Sequence, residues 1–527
     1  MVVVRRDLSH PLVPTLAAAA MGAAYLIAAP ETADMAAHTY RTWLWNQVGF
    51  ATWNAQWYGG HHMAGYSLLY PPLAALAGTR LVGVLAAVAA VGVFALTARR
   101  LAPTRSAGVL AAMLFLGGVM SNVVIGRMPF TLGIALAVGA WAVAHRSRVA
   151  AALLSLASVW ASPVTGVFLA VAAVAIVTSA RLHPESAGRP TDRLTALAIG
   201  APAVIGGLAM AALFPEGGSD HFVGTAFWPM LLVCLGALAL VDPSRRTAIW
   251  GAAIYVTVLV AAFAIPNPLG QNALRPGVVL GPALLVLFAR PRASRIAVAV
   301  VAVALLYLQW LPAVRAVDEA RGDPSTRAAF HAEVLRFLHS RAKPGERVEV
   351  PMTVNHWEAA DLAKVVPLAR GWERQLDQKA NPIFYDGDEL TASRYHAWLR
   401  ENAVRWVALP NAPLDYSARE EALVLQRGAK FLNLVYESPR WRIWQVRGTD
   451  PPASGGAKVL ATGPNWFMVE VKRATVVRYR YTPYWSTTGA CVSRAPGGWT
   501  RVEPETAGVV LVQARFGLER GRRAKGC

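Results

Sequence analysis

Residues 81–98, LVGVLAAVAAVGVFALTA, run for eighteen positions without a charge and are followed at once by Arg99 and Arg100. A bilayer core of ~30 Å takes about 20 apolar residues as a helix, and Lys and Arg gather at cytoplasmic ends. The stretch therefore predicts a membrane helix leaving the bilayer at an arginine pair.

The same pattern recurs on both sides of it. Apolar runs near 11–30, 81–98, 106–121, 128–144, 149–161, 164–180, 194–213, 226–241, 247–265, 276–289 and 296–312 predict about eleven transmembrane helices. Ser162-Pro163 divides 149–161 from 164–180, which reads as two short helices or one kinked one, because proline removes a backbone donor. The first run lacks a convincing small-residue cleavage site and more spans follow, so it reads as a retained helix and not a signal peptide.

Composition agrees. Of 527 residues, 55% are hydrophobic and 16% charged, with mean hydropathy +0.37, too apolar for an ordinary soluble protein. The net charge of +20 raises nucleic acid as a partner. The arginines, however, fall in short clusters between apolar runs: Arg5/Arg6, Arg99/Arg100/Arg105, Arg146/Arg148, Arg181/Arg189/Arg193, Arg245/Arg246 and Arg290/Arg292/Arg295. They occupy alternate loops, which is topology information and excludes a nucleic-acid footprint. The expectation is a plasma-membrane protein with a cytoplasmic N-terminus, an exterior first loop (31–72) and an extracytoplasmic C-terminal half.

From about 313 charges of both signs return. Residues 316–447 read as an exterior α/β domain, with helical spacing over 326–342, 392–402 and 417–429 and strands at 346–351, 404–409, 431–437 and 441–447. The segment 448–457, GTDPPASGGA, is a linker. Short β-branched and aromatic runs over 455–527 predict a small all-β sandwich. The three cysteines have no metal-ligand spacing; Cys491 and Cys527 share the exterior unit, where a disulfide is permitted, and Cys234 is a packing residue.

Chemistry concentrates in 31–72, ETADMAAHTYRTWLWNQVGFATWNAQWYGGHHMAGYSLLYPP. Asp34, His38 and Arg41 share helical spacing, with Glu31 just before them. Carboxylates near a membrane are costly unless paired or used, and Asp34 is the candidate general base toward a hydroxyl. A solvated helix end is its bland alternative. His61 and His62 admit a divalent-metal site with Asp34, hydrogen bonds to sugar or phosphate, or a structural role; adjacent histidines on a turn seldom share one ion, which favours hydrogen bonding. Trp43, Trp45, Trp53, Trp57 and Tyr58 suit an interface, and one or two of them suit stacking on a sugar. Asn355–Glu358 (NHWE) and Arg370–Gln375 (RGWERQ) read either as a glycan acceptor surface or as an ordinary salt-linked surface.

An acidic residue past the first helix, then Trp53-x-x-x-Trp57-Tyr58-Gly59-Gly60 and Tyr70-Pro71-Pro72 before the second, resembles the GT-C superfamily of membrane glycosyltransferases. Within it the chain is similar to the YfhO-like, 6-pyruvoyl-tetrahydropterin-synthase-related bacterial branch and its actinobacterial members. The resemblance implies a GT-C-like helical half that transfers a sugar from a polyprenyl-phosphate donor to an envelope glycan or lipid acceptor on the outer face, with inversion. Asp34 matches the family's acidic position and Glu31 is its neighbour. A departing lipid phosphate calls for outer-side arginines, whose planar fork donates two bonds. Arg127 and Arg275 are the candidates, with Arg41 and Arg80 near the same plane. The sequence names no certain cofactor, and a divalent metal is an open option. The rival readings are a transporter or flippase of envelope precursors, and a noncatalytic envelope-assembly subunit.

Overall fold

Each of the eleven apolar runs is a helix in the computed structural model, which describes residues 12–182 and 191–517. The helices between residues 12 and 320 are α1 (Leu12–Ala28), α2 (Ala33–Val48), α3 (Tyr70–Ala77), α4 (Thr79–Leu101), α5 (Arg105–Ile125), α6 (Met128–Val143), α7 (Arg148–Ala161), α8 (Pro163–Leu182), α9 (Thr191–Leu213), α10 (Gly224–Leu240), α11 (Arg246–Ala264), α12 (Arg275–Phe288) and α13 (Arg295–Ala320). Two of them, α2 and α3, lie inside the predicted first loop.

Among the described residues seven helices are long and apolar enough to cross a membrane, or eight if α1 and α2 form one broken span. The chain is thus a multi-pass membrane protein, with fewer full-length spans than eleven. The reason is length: α6, α7 and α10 have 16, 14 and 17 residues, roughly 21–26 Å at 1.5 Å per residue against a ~30 Å core. Ser162-Pro163 yields two helices, because Ser162 is extended and Pro163 opens α8, where its missing N–H costs nothing.

The chain divides into two compact units. The first comprises 1–30, 66–213 and 219–318. In it α4 packs on α1, α5 and α6; α7 on α6 and α9; α8 on α9 and α11; and α12 on α5. Small and hydroxylated residues allow close approach: Ser158 Oγ donates to Gly133 O (2.8 Å) and meets Thr165 Oγ1 at 2.8 Å. The α10–α11 and α12–α13 connections lie side by side through the Val241–Ala289 bridge, so two of the arginine clusters share one end. Arg5, Arg6 and Arg189 lie outside the described residues.

The second unit comprises 31–65, 214–218 and 319–527. Its further helices are α14 (Ala328–Arg341), α15 (Trp357–Asp361), α16 (Arg374–Ala380), α17 (Ala392–Glu401) and α18 (Arg419–Arg427). Strands β1 (Arg347–Glu349), β2 (Val404–Pro410), β3 (Leu432–Glu437) and β4 (Trp441–Val446) form one sheet, ordered β1-β2-β4-β3 with a parallel β1–β2 pair. The core beside this sheet is formed by Tyr395, Leu399, Val404, Val407 and Leu425. The β-rich end has strands β5 (Lys458–Gly463), β6 (Trp466–Val471), β7 (Thr475–Arg480), β8 (Trp485–Ser486), β9 (Ala490–Arg494), β10 (Trp499–Pro504) and β11 (Gly508–Ala514). They make two sheets, β5-β6-β11-β8 and β7-β10-β9, joined by Phe467 stacked on Tyr479 at 4.8 Å. Cys491 stands on β9 opposite Glu503; Cys527, its expected partner, lies outside the described residues.

The division differs from the sequence expectation in one respect that matters. Residues 31–65 belong with the C-terminal unit and not with the helical half, because their aromatic residues are buried against it. Trp57 is fully buried, and its indole donates to Ala359 O at 2.9 Å. Backbone bonds link Leu368 N to Gln56 O, Ala55 N to Pro464 O and Arg480 N to Gly59 O.

Candidate functional site

The site is built on α2, whose length has a local cause. Ala29 takes a left-handed φ of 40° and Pro30 follows, ending α1. Thr32 is extended and opens α2, and Gly49 at φ 66° closes it. The spacing read from the sequence holds: Asp34, His38 and Arg41 stand on one helix. Asp34 lies in its first turn and is partly exposed, while His38 and Arg41 are buried. A carboxylate in a first turn faces the positive end of the helix dipole.

Arg41 forms an ion pair with Glu373, the residue before α16. Burial raises the Glu373 carboxyl, and Arg41 opposes that rise. Tyr58 reaches the same loop, accepting from Glu373 N at 2.9 Å and donating to Gly371 O. Trp357 Nε1 donates to Glu31 O at 3.0 Å, and Trp372 Nε1 to Ala33 O at 2.9 Å. The two tryptophan motifs of the C-terminal half therefore converge on the start of α2. No local sequence pattern links either motif to Asp34.

The remaining loop residues form its core. Trp57 stacks on Tyr40 (4.6 Å) and on His61 (5.6 Å). Asn54 Oδ1 already accepts from Tyr40 Oη (2.9 Å) and Gln56 N (3.2 Å), so its Nδ2 donates to His61 Nε2 at 3.0 Å and leaves that ring's proton on Nδ1. Burial, then Arg41 and His62, hold His61 well below the usual histidine range. His62 is lowered to about 4 by burial; its Nδ1 lies 3.1 Å from Glu216 Oε1, and its Nε2 lies 3.3 Å from Thr482 Oγ1. The two histidines turn to separate partners, and no group of three or more His, Cys, Asp or Glu gathers as a metal site among the described residues. Burial, then Glu373, raises Glu216 well above the usual range. Glu373 belongs to the RGWERQ motif read from the sequence, whereas Glu216 has no motif around it that names a carboxylate.

Arg127 and Arg275 lie in the other unit and share one neighbourhood there. Arg127 precedes α6, Arg275 opens α12, and the Arg275 guanidinium lies 5.0 Å over Phe130 of α6. Arg80 donates to Ala29 O (3.2 Å) and Pro30 O (2.9 Å), capping α1. One residue past Arg275 begins an apolar slot of about 580 Å³. Its wall on α12 runs from Pro276 to Phe288 through Leu280 and Leu284, with Val171 of α8 and Gly251 of α11 opposite. At 1.5 Å per residue that wall is roughly 18 Å long. Ser244, Arg245 and Arg246 line its other end.

No family model and no curated protein matches this chain in sequence. Among solved structures it is similar to ArnT from Cupriavidus metallidurans bound to undecaprenyl phosphate, at 13% identity and TM-score 0.42 over 84% of this chain and 99% of that one. It is also similar to the Archaeoglobus fulgidus oligosaccharyltransferase. The apo form aligns at 12% identity and TM-score 0.40, and the AglB complex with an inhibitory peptide and a dolichol-phosphate at 12% and 0.41, each over 76% of this chain and 69% of that one. With every TM-score below 0.5, the functional reading rests on this chain's own residues.

Proposed function

We propose that the protein is a glycosyltransferase that moves a sugar from a polyprenyl-phosphate donor to a hydroxyl of an envelope glycan or lipid acceptor, on the outer face of the plasma membrane. The observation that carries this reading is the apolar slot whose α12 wall begins at Pro276, the residue after Arg275. Its walls suit an isoprenoid chain, each buried methylene contributing about 0.8 kcal/mol, and Arg275 with Arg127 suits the phosphate at its mouth.

In this reading Asp34 takes the proton of the acceptor hydroxyl as that oxygen bonds the anomeric carbon. The bond from that carbon to the phosphate oxygen breaks on the opposite face, and polyprenyl phosphate leaves with the electron pair, giving inversion. The arginines stabilise the charge gathering on the leaving oxygen. Glu31, His38 and Arg41 support Asp34 from its own helix and flank, whereas Trp57, Tyr58, His61 and His62 serve as the packed base of the loop. The arginine-rich connections would be cytoplasmic and the C-terminal unit extracytoplasmic. Purified full-length protein should transfer label from a polyprenyl-phosphate sugar to an envelope acceptor; absence of transfer across a panel of such donors, with polyprenyl phosphate not bound, would reject the reading.

One observation favours the second reading, movement of a lipid-linked precursor across the membrane: Arg245 and Arg246 line one end of the slot, and its α12 wall begins at the other end one residue past Arg275. Labelled polyprenyl-phosphate sugar changing leaflets in sealed vesicles, with Asp34→Asn as active as the wild type, would select it.

A further inference from the structure

We infer that Trp357 and Trp372 are positioning residues that set the place of Asp34, an inference that rests on Asp34 being the base. The two carbonyls they engage, Glu31 O and Ala33 O, flank Thr32, the residue from which α2 starts. Asp34 follows immediately. Two indole N–H donors thus fix the peptides on either side of the helix start, and neither carbonyl is left to water alone.

The donors are themselves held. Trp372 stacks on His356 with centroids 3.5 Å apart and planes 14° apart, and the Arg374 guanidinium lies 5.1 Å from its ring centroid. His356 adopts a left-handed backbone, φ 55°, which a non-glycine residue takes only where its surroundings enforce it. They do: His356 is buried, with carboxylates of Glu358 and Asp415 at 3.7 and 3.8 Å. Asp415 is in turn bonded to Arg374 at 2.7 Å. The loop after Trp372 grips α2 a second time, two turns further on, through Glu373 and Arg41.

A side chain needs its supporting shell to hold it within about 0.5 Å of a productive geometry. Here that shell comes from residues more than 320 positions away in sequence. The arrangement gives NHWE and RGWERQ a role in ordering the helix start, in place of an acceptor surface.

Full-length Trp372→Phe and the double Trp357→Phe/Trp372→Phe variant keep an aromatic ring at each position and remove the N–H donors with part of the indole. Amide hydrogen exchange over the first two turns of α2 should quicken about tenfold, with the thermal midpoint of the whole chain little changed. In transfer assays kcat should fall about tenfold while KM for the polyprenyl-phosphate sugar is unchanged. Unchanged exchange, or quickened exchange with full kcat, overturns the positioning role. If Asp34→Asn protein transfers normally, the assignment of the base has failed instead; an inactive Asp34→Asn beside a fully active Trp372→Phe refutes the clamp alone.

Discussion

The guanidinium of Arg275 lies 5.0 Å from the ring centroid of Phe130, which ties the start of α12 to the first turn of α6, three residues beyond Arg127. The α12 wall of the slot begins at the next residue, Pro276. Arg275→Gln and Arg127→Gln should each weaken binding of radiolabelled polyprenyl phosphate roughly ten- to hundredfold, given about 1.5–3 kcal/mol for a charged hydrogen bond. Arg275→Lys should recover part of the loss, since an ammonium cannot reproduce the fork. Arg245→Gln should bind normally; an equal loss there would favour the transport reading.

Asp34→Asn should lower transfer about 10²–10⁴-fold, the usual contribution of a general base. Binding of polyprenyl phosphate and the thermal midpoint should stay at wild-type values. Near-full transfer by the purified variant would remove Asp34 from the mechanism.

Gly251→Leu tests the slot as a chain-binding volume. The first carbon added there would meet Ala175 Cβ at 3.7 Å, an ordinary contact, so the helix pair tolerates it while the rest of the leucine enters the slot. Affinity for polyprenyl phosphate should drop about tenfold, or ~1.4 kcal/mol, with folding intact. A short-chain analogue should lose less.

Packing of the first loop is tested at Gly371. A Cβ there would stand 2.4 Å from Cγ of the Trp57 indole, a rigid neighbour. Gly371→Ala should destabilise the second unit by about 1–3 kcal/mol, the usual cost of overpacking, measured by denaturant unfolding of the full chain. A neutral result would mean that the loop is not held as described.

Glu421 and Glu349 form a fully buried carboxyl pair in the C-terminal unit. Burial pushes both up, Glu421 to about 7, with Arg370 opposing. The folded state therefore holds protons that the unfolded state gives up above the ordinary carboxylate range, so this pair's contribution falls as pH rises from about 4.5 to 7. His61 and His62 act in the opposite sense: their folded values are lowered, so their contribution is present above about 6.5 and is lost as pH falls toward 4. Glu421→Gln keeps an acceptor for Tyr395, now 2.6 Å from the carboxylate. Its thermal midpoint should decline less than that of the wild type between pH 5 and 7. An identical pH profile would show that the pair does not share a proton in the fold.

The sequence by itself determined the eleven apolar helices, the α/β order of 316–447 and most strands beyond 455, because apolar length and alternation are local properties of a chain. It also set Asp34, His38 and Arg41 on one helical spacing. The tertiary structure alone decided where 31–65 belongs. Tryptophan, tyrosine and histidine near a membrane suit an interface, a sugar platform or a buried core equally well. The choice is made by partners such as Ala359 for Trp57 and Trp372 for Ala33. Those partners lie more than 300 residues away, and burial depends on what the fold brings near, which no local pattern carries.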